Sequence, residues 1–236
     1  MACAPATGPA GGYTGGNRLI GNSIGVDITG TAALGNGAQQ GQDGLYIASM
    51  ERFTIADNVI SGNGSSTYGS GLNINGCHTC SITGNRIGTN AAGTAAIPNA
   101  LDGIYINDPS DVTIGGSAPG EGNLISGNGR HGIWHSAEGG GYATNDTHIL
   151  GNRIGTDITG NGAIGNGGFG IFVYTGDYYA GQSVATIGGT APGEGNIIAN
   201  NALGGFGSGA VAPPYLDTGR GALARDLVRG NIIRGN

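Results

Sequence analysis

Ile149-Leu150-Gly151-Asn152-Arg153-Ile154 decides how this chain is read, because its frame returns along the whole sequence. Asn with Ile two residues later occurs at Asn22, Asn58, Asn85, Asn123, Asn152, Asn196 and Asn231, giving Ile24, Ile60, Ile87, Ile125, Ile154, Ile198 and Ile233. Three residues before the Asn stand Leu19, Ile55, Ile82, Ile149 and Val228. In the remaining copies Ile114 and Ile187 fill that role ahead of matching insertions, Gly-Gly-Ser-Ala-Pro-Gly-Glu at 115 to 121 and Gly-Gly-Thr-Ala-Pro-Gly-Glu at 188 to 194. A third column follows Gly: Leu45 with Ile47, Leu72 with Ile74, Ile104 with Ile106, Ile133, and Ile171 with Val173. Each unit therefore holds three short strands of period two, separated by Gly, Asn and Asp, which tolerate the left-handed backbone of a tight corner.

Units of 27 to 44 residues that differ by loop insertion are the expected behaviour of a solenoid, whose cross-section is fixed while loops grow on its faces. Long loops follow Asn22, Asn85 and Asn152 but not Asn58, Asn123 or Asn196, so the true period is a pair of coils, about 65 residues. The expectation is an all-β parallel β-helix, a β-solenoid of about six to seven coils with three short strands per coil. Helical alternatives fail, since no stretch keeps an i, i+3, i+4, i+7 stripe and Gly at this density opposes one by roughly 1 kcal/mol per residue.

Composition agrees with that frame. The 236 residues include 53 Gly and 8 Pro, a level at which low-complexity disorder is the first suspicion, but disorder predicts no spacing of aliphatics. Fifteen Asp plus Glu face nine Arg and no Lys, and the arginines are spread singly, which excludes a basic stripe for nucleic acid or an anionic membrane. No apolar run approaches the roughly 20 residues that span a bilayer. Residues 1 to 16 read as an N-terminal extension without a visible export signal, and 17 to 236 as the repeats. Neither end shows a capping helix, so the sequence reads as a segment of a longer chain or as a protein that self-associates through uncapped solenoid ends.

The strings Gly-Asn-Arg-Ile-Gly-Thr-Asp-Ile-Thr-Gly at 151 to 160 and Thr-Ile-Gly-Gly-Thr-Ala-Pro-Gly-Glu-Gly-Asn-Ile-Ile at 186 to 198 resemble those of bacterial right-handed parallel β-helix repeat proteins, similar in fold to the pectin lyase group. The resemblance covers about residues 17 to 236 and implies a right-handed coil. It is weak for activity, because that fold carries lyases, hydrolases, epimerases, esterases, adhesins and phage tailspikes. Lyases of the group combine Ca²⁺-binding carboxylates with a Lys or Arg base, polygalacturonase types present several Asp on one face, and methylesterase types use two Asp and an Arg. None of these motifs carries over residue by residue.

In the third strand the residue between two inward aliphatics points out, giving the column Tyr46, Asn73, Tyr105, Trp134 and Phe172, with Tyr174 on the same face and Tyr178 and Tyr179 beyond it. Aromatic rings interleaved with amides suit the apolar faces and hydroxyl edges of sugars, although aromatics are also good strand formers. At the edge of that face stand Asp43, Ser70, Asp102 and His131. Asp102 and His131 on successive coils are the first choice for acid and base chemistry, with Asp43 and Arg130 beside them and Asp108, Asp111, His135 and Glu138 near in sequence. A carboxylate there would raise the imidazole pKa, whereas Asp before Gly is also an ordinary turn former.

No metal site is expected. Asp157-Ile-Thr-Gly-Asn-Gly opens like a calcium loop, but the twelfth position is Gly168 where a bidentate Glu is needed, so turn chemistry explains it better than Ca²⁺. Besides Cys3, Cys77-His78-Thr79-Cys80 offers a local disulfide or free thiols more readily than a metal or redox site. These features favour an extracellular or surface-associated β-helix that engages a polysaccharide, with hydrolase or lyase activity as one form of it and a non-catalytic structural or adhesive rod as its rival. An ice-binding solenoid would need regular outward Thr ladders, which the mixed outward positions do not provide.

Overall fold

The computed structural model describes residues 16–36, 42–65, 69–136, 145–174, 183–209, 227–228 and 230–236. Cys3, Glu138, Tyr178 and Tyr179 lie outside them, as do residues 1 to 15 of the N-terminal extension. The chain is a parallel β-helix. Strands step by three, so that each coil contributes one strand to each of three sheets. Sheet A stacks Arg18–Ile20, Thr54–Ala56, Ser81–Thr83, Val112–Gly115, Asn145–Leu150, Ser183–Ile187 and Leu227–Val228. Sheet B stacks Ser23–Ile24, Val59–Ile60, Arg86–Ile87, Leu124–Ile125, Arg153–Ile154, Ile197–Ala199 and Ile232–Arg234. Sheet C stacks Leu45–Glu51, Leu72–His78, Ile104–Asn107, Ile133–Ser136, Phe169–Tyr174 and Gly204–Gly209.

All pairings between these strands are parallel and in the register of the sequence columns: Ile24 meets Ile60, Ile60 meets Ile87, and so on to Ile198 with Ile233. Ile60, Ile87, Ile125, Ile154 and Ile198 are wholly buried in one core with Ile55, Ile82, Ile114, Ile149 and Ile187 of sheet A. Burying one such side chain is worth about 1.5–3 kcal/mol, and none can be buried without the coil above and the coil below. At the outermost coils Ile24 is only partly covered and Ile233 is exposed.

Two asparagine ladders hold the corners. In the first, the main-chain N and Nδ2 of each Asn donate to Oδ1 of the next, from Asn22 to Asn58, Asn85, Asn123, Asn152, Asn196 and Asn231, at 2.8–3.0 Å. The second runs through Asn36, Asn63, Asn99, Asn128, Asn166, Asn201 and Asn236 with the same side-chain pattern. These side chains are buried over the middle coils, where an unpaired amide would cost about 1–3 kcal/mol, so the ladders exist because each rung satisfies the one before it.

The paired-coil period has a physical cause. Hairpin-like loops closed by the bridges Val26 with Ala33, Thr89 with Ala96 and Thr156 with Ala163 leave the first, third and fifth coils. They stack directly on one another, Ala91 N donating to Gly30 O and Ile158 N to Gly93 O, both at 2.9 Å. One loop thus covers the height of two coils, and the coil between has no room for another. Asp27 and Asp157 accept main-chain N–H groups of their own loops, as Asn90 does in the third coil. Hydroxyl bonds from Thr29 and Thr159, then those amides, hold the two carboxyls below their ordinary range, which is turn chemistry.

Glycine serves packing as well as turns. Gly132 precedes its sheet C strand without a left-handed φ, and a Cβ there would lie 2.5 Å from Gly170 O and 2.8 Å from Ile154 Cγ2. Gly155, with φ of +83°, makes the corner after Ile154. Cys77 and Cys80 form a disulfide whose sulfurs sit in the core cluster between the second and third coils.

Candidate functional site

The outer column of sheet C exists as a column. Tyr46 is in register with Asn73, Asn73 with Tyr105, Tyr105 with Trp134, and Trp134 with Phe172. Its surroundings change along the axis. Tyr46 is 60% exposed and Tyr105 half-buried, whereas Trp134 is 6% and Phe172 1% exposed. The expectation of a continuous solvent-facing aromatic ladder is therefore corrected: its far half is covered.

Trp134 and Phe172 meet at a tilt of 54° with 5.1 Å between ring centroids, Tyr174 lies 5.8 Å from Trp134, and Phe169 and His131 close the cluster around Phe172. The Arg130 guanidinium lies 4.3 Å over the Trp134 ring, a cation–π contact worth about 0.5–2 kcal/mol. Such rings bury large area, and a bulky column on an outward face favours self-association of rings over wetting.

The expected pairing of Asp102 with the His131 imidazole is also corrected. Asp102 is fully buried, and its carboxylate accepts from Arg130 Nε at 2.9 Å, from Arg130 Nη2, and from the main-chain N of His131 at 3.0 Å. The imidazole turns the other way: its Nδ1 accepts the main-chain N–H of Phe169 at 2.9 Å, and its ring stacks on Phe172 at 5.2 Å. Burial, with the Arg130 charge added, lowers the His131 pKa to about 3, where a neighbouring carboxylate was expected to raise it. Burial pushes the Asp102 carboxyl above its ordinary range while the bonds and charge of Arg130 pull against it.

Asp43 follows the same rule one side of the cluster earlier, accepting Ser70 N at 2.7 Å and Asn73 Nδ2 at 2.8 Å. Asp43, Asp102 and His131 are thus rungs of a capping column in which each side chain binds the main chain of the following coil. Asp102 gathers the Arg130 guanidinium and the His131 main-chain N–H, while Asp43, two coils away, is bonded to Ser70 and Asn73 and reaches Asp102 only through its charge. No family model, curated protein or solved structure matches the chain.

His135, expected near the Asp102–His131 pair, takes a different place. His135 points into the core, in register with Ile106 and Val173, and its Nε2 lies 3.0 Å from Thr147 Oγ1. Burial lowers its pKa to about 4. The signal was available, as the break at His135 in the aliphatic row Ile47, Ile74, Ile106 and Val173. Among the described residues no group of three or more His, Cys, Asp or Glu is placed to hold a metal ion.

Proposed function

We propose that the chain is a polysaccharide-contacting solenoid of the right-handed pectin-lyase-like kind, acting without a chemical step, whose contact surface is the uncovered half of the sheet C column. The observation that carries this reading is the exposed Tyr46 ring, followed by Asn73 and then the half-buried Tyr105. Two rungs of about 4.8 Å separate the tyrosines by about 10 Å, close to the length of a disaccharide in an extended glycan. An aromatic face, an amide held by Asp43, and a second aromatic face in that order suit alternating apolar faces and hydroxyl edges.

Asp102, Arg130 and His131 support binding without chemistry, since each already serves a folding contact. The Cys77–Cys80 disulfide supports an oxidising, extracellular setting. The test is retention on immobilised plant, algal and microbial glycans, with reducing ends and unsaturated products measured in parallel. Binding by the parent chain and its loss in Tyr46→Ala and Tyr105→Ala is expected, with no product. Retention that ignores both substitutions, or any enzymatic product, would overturn the reading.

A further inference from the structure

A second surface, at the corner between sheets A and B, owes nothing to the aromatic column. The insertion at 115 to 121 leaves the fourth coil and its copy at 188 to 194 leaves the sixth, with the fifth coil running between them. Each loop is closed by its own glutamate, Glu121 Oε2 accepting Ala118 N at 3.0 Å and Glu194 Oε2 accepting Ala191 N at 2.9 Å. They clamp Gly151: its N donates to Glu194 O, and a Cβ on it would lie 2.1 Å from Gly116 O and 2.8 Å from Gly193 O.

Between the loops opens a cleft of about 360 Å³, walled by Ser117, Ala118, Pro119 and Gly193 and floored by Asn152 and Arg153. Among the described residues no carboxylate lines it, the Glu121 and Glu194 carboxylates being turned to the main chain of their own loops. Arg153 Nε is buried without a hydrogen-bond partner, and among the described residues no acidic group is within ion-pair distance of the guanidinium. The buried Nε, packed beside Gly160, is closed to a ligand in the cleft, so the outer donors of the planar guanidinium fork are the ones an oxyanion would match. Walls made largely of Gly and Ala let main-chain groups approach such a ligand closely.

Arg86 provides an internal control. It occupies the same outward row, in register through Leu124, and its Nε is likewise unpartnered. Arg86 stands on the third coil, between the fourth, which carries an insertion, and the second, which does not, so it has one wall where Arg153 has two.

We propose that the cleft binds an oxyanion, a sulfate, phosphate or carboxylate group, seated against Arg153. The cleft is larger than a single ion and leaves room for the group to be carried on a larger molecule. The experiment measures thermal stability of the whole chain against sodium sulfate, phosphate and acetate, with sodium chloride at matched ionic strength. Sulfate and phosphate also stabilise folded chains generally by exclusion, so the quantity read is the saturable part of the shift.

A saturable rise is expected in the parent and in Arg86→Gln. Arg153→Gln should weaken it about tenfold or more, the equivalent of losing a charged hydrogen bond. Ala118→Glu, at an exposed position of the wall, should abolish it while leaving Arg153 in place, which keeps the test decisive if Arg153→Gln folds poorly. Dextran sulfate against dextran shows whether a polymer-borne group enters as the free ion does. An equal response in Arg153→Gln and the parent, equal loss in Arg86→Gln, or no saturable response to any anion, free or polymer-borne, overturns the proposal. The glycan test on Tyr46 and Tyr105 reads a different face and is decided separately.

Discussion

Tyr46 and Phe172 occupy the same column of the same sheet, four rungs apart, and live in opposite environments. Around Tyr46 the neighbours on that face are small or polar, Ala48, Asn73 and Asn75, and the ring stays in water. Around Phe172 the neighbours are Trp134, Phe169 and His131, with Tyr174 against Trp134, and the rings exclude water from one another. A column position fixes which way a side chain leaves the sheet. Whether it meets solvent is fixed by what the adjacent rungs carry.

The largest expected effect breaks this comparison directly. Phe172→Ala removes a fully buried ring from a closed cluster and should destabilise the chain by about 3–5 kcal/mol, whereas Tyr46→Ala should stay within about 0.5 kcal/mol, as for an ordinary surface position. Urea unfolding of the two variants checks it. Equal losses would mean that the covered half of the column is no better packed than the open half.

The two carboxylates of the capping column repeat the contrast at smaller scale. Arg130→Ala strips the buried Asp102 of its counter-charge and should cost about 3 kcal/mol, because an uncompensated buried charge remains. Asn73→Ala, which removes one side-chain bond from the partly buried Asp43, should cost about 1 kcal/mol. Thermal unfolding of both variants at neutral pH measures the difference. An Arg130→Ala loss no greater than that of Asn73→Ala would show that Asp102 is satisfied without its arginine.

The aliphatic columns and the first Asn ladder were legible because each copy repeats both the residue and its distance from the next strand. The second ladder was missed although Asn36, Asn63, Asn99, Asn128, Asn166, Asn201 and Asn236 are all present. They stand 14 residues after the first-ladder Asn in the coils with a long loop and five after it in the others, so two alternating offsets replace the single spacing that ties the first ladder to its aliphatics. Asp102 and His131 were correctly set on neighbouring rungs, but adjacency does not say which atom of the next rung a carboxylate meets. The longer Arg130 reaches it from the adjacent position, and the His131 main-chain N–H lies nearer than its ring. For His135 the sequence shows nearness to Asp102 and His131 but not burial, because an imidazole in an aliphatic row requires Thr147, which stands in another sheet and on another coil, before it can be buried.

The smallest effect sharpens the contrast through pH. His131 and His135 both belong to the fourth coil, at the covered end of the column, and their native pKa values lie near 3 and 4. In the unfolded chain both take up protons near 6.5. Between those values the unfolded state binds more protons than the native state, so stability is complete above about pH 7 and falls as pH drops toward the native pKa values. From pH 7 to 5.5 the two together should remove about 2–3 kcal/mol. Asp102, raised by burial, works in the opposite sense, and Asp102→Asn takes it out of the profile. Replacing the core pair by His135→Val with Thr147→Val should keep the fold, since both positions then match the apolar rows around them, and should halve the slope. Urea midpoints at pH 7 and 5.5 decide it. An unchanged slope in the double variant would mean that the acid sensitivity resides elsewhere than in the interior of the fourth and fifth coils.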